Sequence, residues 1–147
     1  PNIKSANYYM TYLPDNKTTK VGGIIGACML IRKRLIKEIG YLDERFFIYC
    51  EDTDYCYRAI KAGWDIYYFP KVKVMHMHGG TTSKFKLKAL LLFHKGIFLY
   101  YNKHYSSQNF FLVNLVVYMG ILARFVLFMG MELLRYLRVK LNRIKLL

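Results

Sequence analysis

The 147 residues suit one domain or a domain with an appendage, and a chain of this size can bury a real core. A hydrophobic fraction of 54% with 17% aromatic residues excludes disorder, and a formal net charge of +14 calls for a polyanionic neighbour: nucleic acid, an anionic membrane surface or a phosphorylated substrate. The three cysteines, Cys28, Cys50 and Cys56, are odd in number and form no C-x-x-C pair, which argues against a disulfide framework and for a reducing compartment.

Residues 1–20 are polar and Tyr-rich, with Pro14-Asp15-Asn16 as a turn signal. The apolar run Val21 to Ile31, holding Gly22, Gly23 and Gly26, reads as a buried strand interrupted by glycine, where another backbone or a ligand approaches closely. Leu35, Ile36 and Ile39 predict a short helix ending at Gly40, and Glu51 to Ala62 predicts a second, with Asp54 and Arg58 paired at i,i+4 and a stop at Gly63. Trp64 to Phe69 and Val72 to His76 are β-rich and divided by Pro70. In the second of these, Val72, Val74, His76 and His78 share one face by period two.

A Thr-Thr-Ser cluster after Gly79-Gly80 is placed to cap a basic, apolar helix over residues 84–101, and residues 110–131 form a long apolar run carrying Asn114 and Arg124. The second half is a different physical object from the first: residues 84–147 hold eleven of the 23 Lys/Arg but only one of the nine acids, Glu132. Lys84, Lys86, Lys88, Lys95 and Lys103, with Arg124, Arg135, Arg138 and Asn142 near one side of the last helix, fit a helix lying in an anionic membrane interface. Arg124 weighs against a clean span, because a guanidinium at mid-depth costs about 2.5–3.5 kcal/mol on insertion scales. The bland alternative is that these helices complete a soluble core.

Glu51, Asp52 and Asp54 crowd one turn of a chain poor in acids. One reading is structural, since acids in a first helical turn complement the macrodipole. The other is a site in which one carboxylate is a general base and a neighbour binds a hydroxyl or orients it. His76 and His78, two apart on a predicted strand, are candidate metal ligands, although a lone His-x-His is a weak signal.

The order Gly26-Ala27-Cys28-Met29-Leu30-Ile31-Arg32, Ile39-Gly40-Tyr41-Leu42-Asp43-Glu44-Arg45-Phe46-Phe47, Glu51-Asp52-Thr53-Asp54 with Arg58, Ala62-Gly63-Trp64, Pro70 and His76-Met77-His78-Gly79-Gly80 resembles the C-terminal half of family 2 inverting glycosyltransferases, notably their bacterial rhamnosyltransferase-like branch. The likeness covers about residues 5–105 and is specific in its joint order and spacing. It implies an α/β fold: the acceptor-side half of a GT-A-like nucleotide-diphospho-sugar transferase over residues 1–83, followed by a basic, apolar helical tail over residues 84–147. It further implies Asp52 as catalytic base with Glu51 beside it, and Gly26 and Ala27 lining the sugar and acceptor pocket. Asp54 joins the substrate-binding set, although with Arg58 it also matches positions that hold the helix. His76, rather than His78, completes the metal site, with Mg²⁺ or Mn²⁺ as cofactor.

The nucleotide-binding half is not in this sequence: no Asp-x-Asp precedes residue 26, the one such spacing, Asp52-x-Asp54, lies in the base motif, and the chain opens at Pro1 in mid-sequence, as a fragment would. The expected partners are a nucleotide-sugar donor, a glycan or lipid-linked acceptor and an anionic membrane, at the cytoplasmic face of the bacterial inner or plasma membrane. Two rivals stand beside this: a non-catalytic membrane-anchored binding or scaffold module (or an inactive remnant), and a nucleic-acid-binding protein. The latter is disfavoured because the basic residues of the second half are interleaved with long aliphatic runs.

Overall fold

The computed structural model describes residues 13, 14, 16–76 and 85–144, with side chains described as far as residue 138. Their order is β1 (Thr19–Val21), α1 (Lys33–Ile39), α2 (Glu51–Lys61), β2 (Ile66–Tyr68), α3 (Lys86–His104), a 3-10 turn (Ser106–Gln108) and α4 (Phe111–Ile144). They divide into two compact units, one from the residues up to Leu42 with Asp52–His76, the other from Asp43–Glu51 with the residues after His76. The expected boundary between residues 83 and 84, the Thr-Thr-Ser cap and Gly79-Gly80 lie outside the described residues.

In the first unit β1 and β2 pair antiparallel, with Thr19 opposite Tyr68 and Val21 opposite Ile66. Lys20 and Asp65 form an ion pair beside this ladder. Both helices end where glycine predicts. Gly40 and Gly63 have φ of 78° and 82°, a region that costs a side chain energy. At the end of α2 the Trp64 N–H donates to the Ala59 carbonyl and the Gly63 N–H to that of Ile60, each at 3.0 Å, which is the Schellman pattern. Leu35, Tyr55 and Ala59 form the buried centre, with Met29, Ile31, Ile39 and Trp64 packed around it.

Two expected strands are absent as strands. The run after Val21 leaves the ladder at once, because its polar backbone groups are used elsewhere: the Gly26 N–H donates to Asp52 and the Ile24 carbonyl accepts from Cys56. Residues 72–76 are irregular, and Val72, Val74 and Met75 are exposed rather than part of a core face.

In the second unit α3 and α4 pack on one another across a turn closed by side chains. Tyr101 Oη donates to Asn114 Oδ1 at 2.7 Å, while Asn114 Nδ2 donates to the Ser106 carbonyl at 2.8 Å. Asn114 is therefore the hinge pin of the hairpin, which accounts for one polar interruption of the apolar run. A second clip fixes the Asp43–Glu51 segment. Asp43 Oδ2 accepts from Arg45 Nη2 at 2.6 Å and from Lys103 Nζ at 2.7 Å, and Lys103 also lies 5.7 Å from the Phe46 ring centre. Lys103, expected against the lipid leaflet, is instead committed to this clip.

Hydrogen bonds from Arg45, joined by Lys103 and opposed by partial burial, hold the Asp43 carboxyl well below the usual carboxylate range. A depressed carboxylate stabilises the fold fully above its unfolded value of about 3.9 and loses that contribution as pH falls toward the folded value. The urea midpoint of wild type should therefore exceed that of Asp43→Asn at pH 6, and the gap should close below about pH 4 when followed by helical circular dichroism.

Gly96 is where the same segment meets α3. A Cβ there would come within 2.9 Å of the Tyr49 carbonyl oxygen and 3.3 Å of Cys50 Sγ. Gly96→Ala should lower stability: relief of a backbone clash costs about 1–3 kcal/mol, more than the roughly 1 kcal/mol of helix propensity gained. Gly120→Ala, with nothing within 4 Å of the added carbon, should be neutral or stabilising in the same thermal melts.

Candidate active site

The acids at the start of α2 have separate surroundings. Asp52 is partly exposed, and its carboxylate is oriented from two sides: the Gly26 N–H donates to Oδ2 at 2.8 Å, while the Thr53 N–H and Oγ1 donate to Oδ1 at 2.7 and 3.2 Å. Gly26 and Asp52, 26 positions apart in sequence, are thus brought together as two of the expected site residues. Cys56, one turn further along α2, donates its thiol to the Ile24 carbonyl at 3.8 Å and holds the same loop. Burial pushes its thiol pKa up, the Ile24 contact opposing and the Asp52 charge adding to it, so the thiol is a packing group rather than a nucleophile.

Ala27 follows Gly26 in the loop and is half-buried. Asp54 is 0% exposed. Its Oδ2 accepts from Arg58 Nε at 2.8 Å, and the remaining guanidinium nitrogens donate to the Ile39 and Tyr41 carbonyls at 2.7 and 2.8 Å. The Asp54–Arg58 pair therefore fastens α2 to the end of α1 and satisfies carbonyls that the helix terminus leaves over. This placement favours the helix-holding role of Asp54 over direct contact with substrate.

Glu51 is half-buried, and its Oε2 is sequestered from solvent without a hydrogen-bond partner among the described residues. Just before it, Tyr49 and Cys50 have φ of 69° and 68°. Two successive bulky residues in the left-handed region cost on the order of 1–3 kcal/mol each and concentrate at functional sites. Sequence reasoning missed this feature, because nothing in a Tyr-Cys pair signals positive φ.

His76 is exposed at the end of the irregular segment, and His78 lies outside the described residues. No group of three or more His, Cys, Asp or Glu among the described residues is placed to hold a metal ion. These residues therefore do not by themselves fit a divalent cation, and His76 offers one ligand only. The open groove of the first unit, bordered by Lys20, Ile60, Trp64 and Asp65, contains none of the expected site residues.

The Asp52 carboxylate, fixed by a loop N–H at the head of α2, lies within the motif order described above. A family model for glycosyltransferase like family 2 matches residues 5–91, and the chain belongs to that family, whose domain is GT-A-like. It is similar to the N-acetylglucosaminyl-diphospho-decaprenol L-rhamnosyltransferase of Mycobacterium tuberculosis, with 34% identity over 87 residues, 59% of this chain and 28% of that protein. It is similar also to the rhamnosyltransferase WbbL of Escherichia coli, with 31% identity over 94 residues, 63% of this chain and 36% of that protein. The low-salt glycan biosynthesis hexosyltransferase Agl10 of Haloferax volcanii shares 34% identity over 61 residues, 42% of this chain and 20% of that protein. The chain thus spans between a fifth and about a third of the length of these relatives. No solved structure matches it.

Proposed function

We propose that this chain is the acceptor-side half of an inverting, rhamnosyltransferase-like enzyme, which moves a sugar from a nucleotide-sugar donor to a lipid-linked or cell-envelope glycan. The orientation of the Asp52 carboxylate by the Gly26 N–H carries the reading. A single in-line displacement needs one base on the acceptor hydroxyl, and a carboxylate accepts that proton as the new bond to the anomeric carbon forms. The nucleoside diphosphate leaves with the electron pair of the broken bond, and the configuration inverts. Glu51, Gly26 and Ala27 border the acceptor in this scheme, and Asp54 acts through Arg58 by holding α2 in place.

The name of the mycobacterial relative specifies a sugar on a diphospho-decaprenol, which favours a polyprenyl diphosphate-linked acceptor for this chain as well. Such a substrate agrees with a membrane-associated tail. The segment Phe111–Arg138 of α4, 28 residues, is long and apolar enough to cross a membrane, and Leu112, Val116, Leu127 and Leu134 are all exposed. We place this tail at the cytoplasmic face, in the interface or as a shallow re-entrant element, with Arg124 opposing a full span. The family generally uses a divalent cation. In our reading His76 supplies one ligand for Mg²⁺ or Mn²⁺, and residues outside those described supply the rest.

The test is transfer of labelled sugar into the lipid fraction by the full-length protein in membranes, across a panel of nucleotide sugars. His76→Ala should raise the cation concentration needed for half-maximal transfer more than His78→Ala does. Absence of incorporation with every donor would overturn the enzymatic reading and leave a membrane-anchored module.

A further inference from the structure

Asn114 is accounted for by the hairpin turn, which leaves Arg124 as the one charged residue between Phe111 and Met131 of an otherwise apolar helix. Its guanidinium lies 5.2 Å from the Phe93 ring centre and 5.4 Å from that of Phe128, and no carboxylate among the described residues pairs with it. Stacking on ring faces holds a guanidinium's position while leaving its in-plane N–H donors unused. A cation seated this way in an apolar surface is matched by an anion with several acceptor oxygens.

A second observation lies on the same rings. His94 is 5% exposed, with its ring centre 5.5 Å from that of Phe93 and 6.4 Å from that of Phe128. Its Nδ1 is 2.8 Å from the Leu90 carbonyl oxygen, which can only accept, so Nδ1–H donates there and Nε2 is the ring nitrogen left over from that bond. That Nε2 is buried and has no hydrogen-bond partner among the described residues. Phe93 also meets the Tyr49 ring edge-on at 5.5 Å. The second unit therefore presents a ring-stacked cation beside a buried imidazole nitrogen that has no hydrogen-bond partner among the described residues. A sugar-1-diphosphate complements this pair, its phosphate oxygens accepting from Arg124 and a sugar hydroxyl hydrogen-bonding to His94 Nε2.

We infer that Arg124, stacked between Phe93 and Phe128 beside His94, binds the diphosphate of the lipid-linked acceptor at headgroup depth. This rests on the membrane-associated reading of the tail and explains why a guanidinium stands in the middle of α4. The shared chemistry is a phosphate ester in a lipid layer. The ligand is the polyprenyl diphosphate rather than bulk anionic phospholipid, because a single stacked guanidinium beside a buried imidazole suits one shaped ligand, whereas a diffuse leaflet is served by the many other basic side chains.

The test is flotation of the full chain on vesicles of phosphatidylcholine alone, with phosphatidylglycerol, or with a polyprenyl diphosphate at matched surface charge. Wild type should bind the polyprenyl diphosphate vesicles more tightly than the phosphatidylglycerol ones. Arg124→Gln should weaken the former by about tenfold or more and leave the latter within about twofold. Because Arg124 is exposed, the variant should keep the wild-type circular dichroism spectrum. His94→Phe should also weaken polyprenyl diphosphate binding selectively. Equal losses on both anionic vesicles, or no loss on either, would overturn the site while leaving membrane association intact. Failure of wild type to float on any vesicle would overturn the membrane reading and the site with it.

Discussion

Asp52→Asn in the full-length protein is expected to lower sugar transfer by about 10²–10⁴-fold, the usual cost of losing a general base, with little change in fold. The amide keeps the shape of the carboxylate, and its oxygen can still accept from the Gly26 N–H, which now donates to Asp52 at 2.8 Å. Its nitrogen can no longer accept from Thr53, a loss of about 1 kcal/mol. Stability should therefore move by a small fraction of what activity does, and turnover measured at saturating donor and acceptor separates the two. Near-normal turnover would transfer the base role to Glu51.

Asp54→Ala is expected to act the other way, through stability. Removing one partner of a buried ion pair costs about 3–5 kcal/mol, because the remaining charge stays desolvated. The Arg58 side chain is only 18% exposed and is tied to the Ile39 and Tyr41 carbonyls, so it cannot readily turn out to water. We expect a loss near the lower end of that range, since those two hydrogen bonds survive. The chain's single tryptophan, Trp64, packs against the core that this pair secures and donates to Glu38 Oε2 at 2.9 Å, so its fluorescence reports the unfolding. Asp54→Asn, which keeps an acceptor for Arg58, should lose less. Abolished transfer with an unchanged urea midpoint would instead show that Asp54 contacts substrate.

Asp54 illustrates how far local sequence carries. The i,i+4 spacing to Arg58 was legible, and so was the pair itself, because both residues lie on one helical face. Its burial was not, since the carbonyls that Arg58 reaches belong to the end of α1 and the following turn. Lys103 is the same lesson at longer range: as one lysine on a basic helix it reads as a leaflet contact, and its commitment to Asp43 depends on a pairing 60 residues apart.

What the sequence by itself determined is whatever has a local physical cause. Gly40 and Gly63 end their helices because they accept positive φ, the apolar period sets α1 and α2, and the length and composition of α4 make it a membrane candidate. The ordered motif from Gly26 to His76 identified the family without any contact being known. The tertiary structure decided the rest. It spent the Gly26 N–H on Asp52 instead of on a strand, left Val72 and Val74 exposed, and set Tyr49 and Cys50 in a strained turn over Gly96. It also placed Arg124 and His94 on shared phenylalanine rings. Each of these depends on which distant group satisfies a backbone donor, a charge or a ring face, and that choice is made only when separate elements meet.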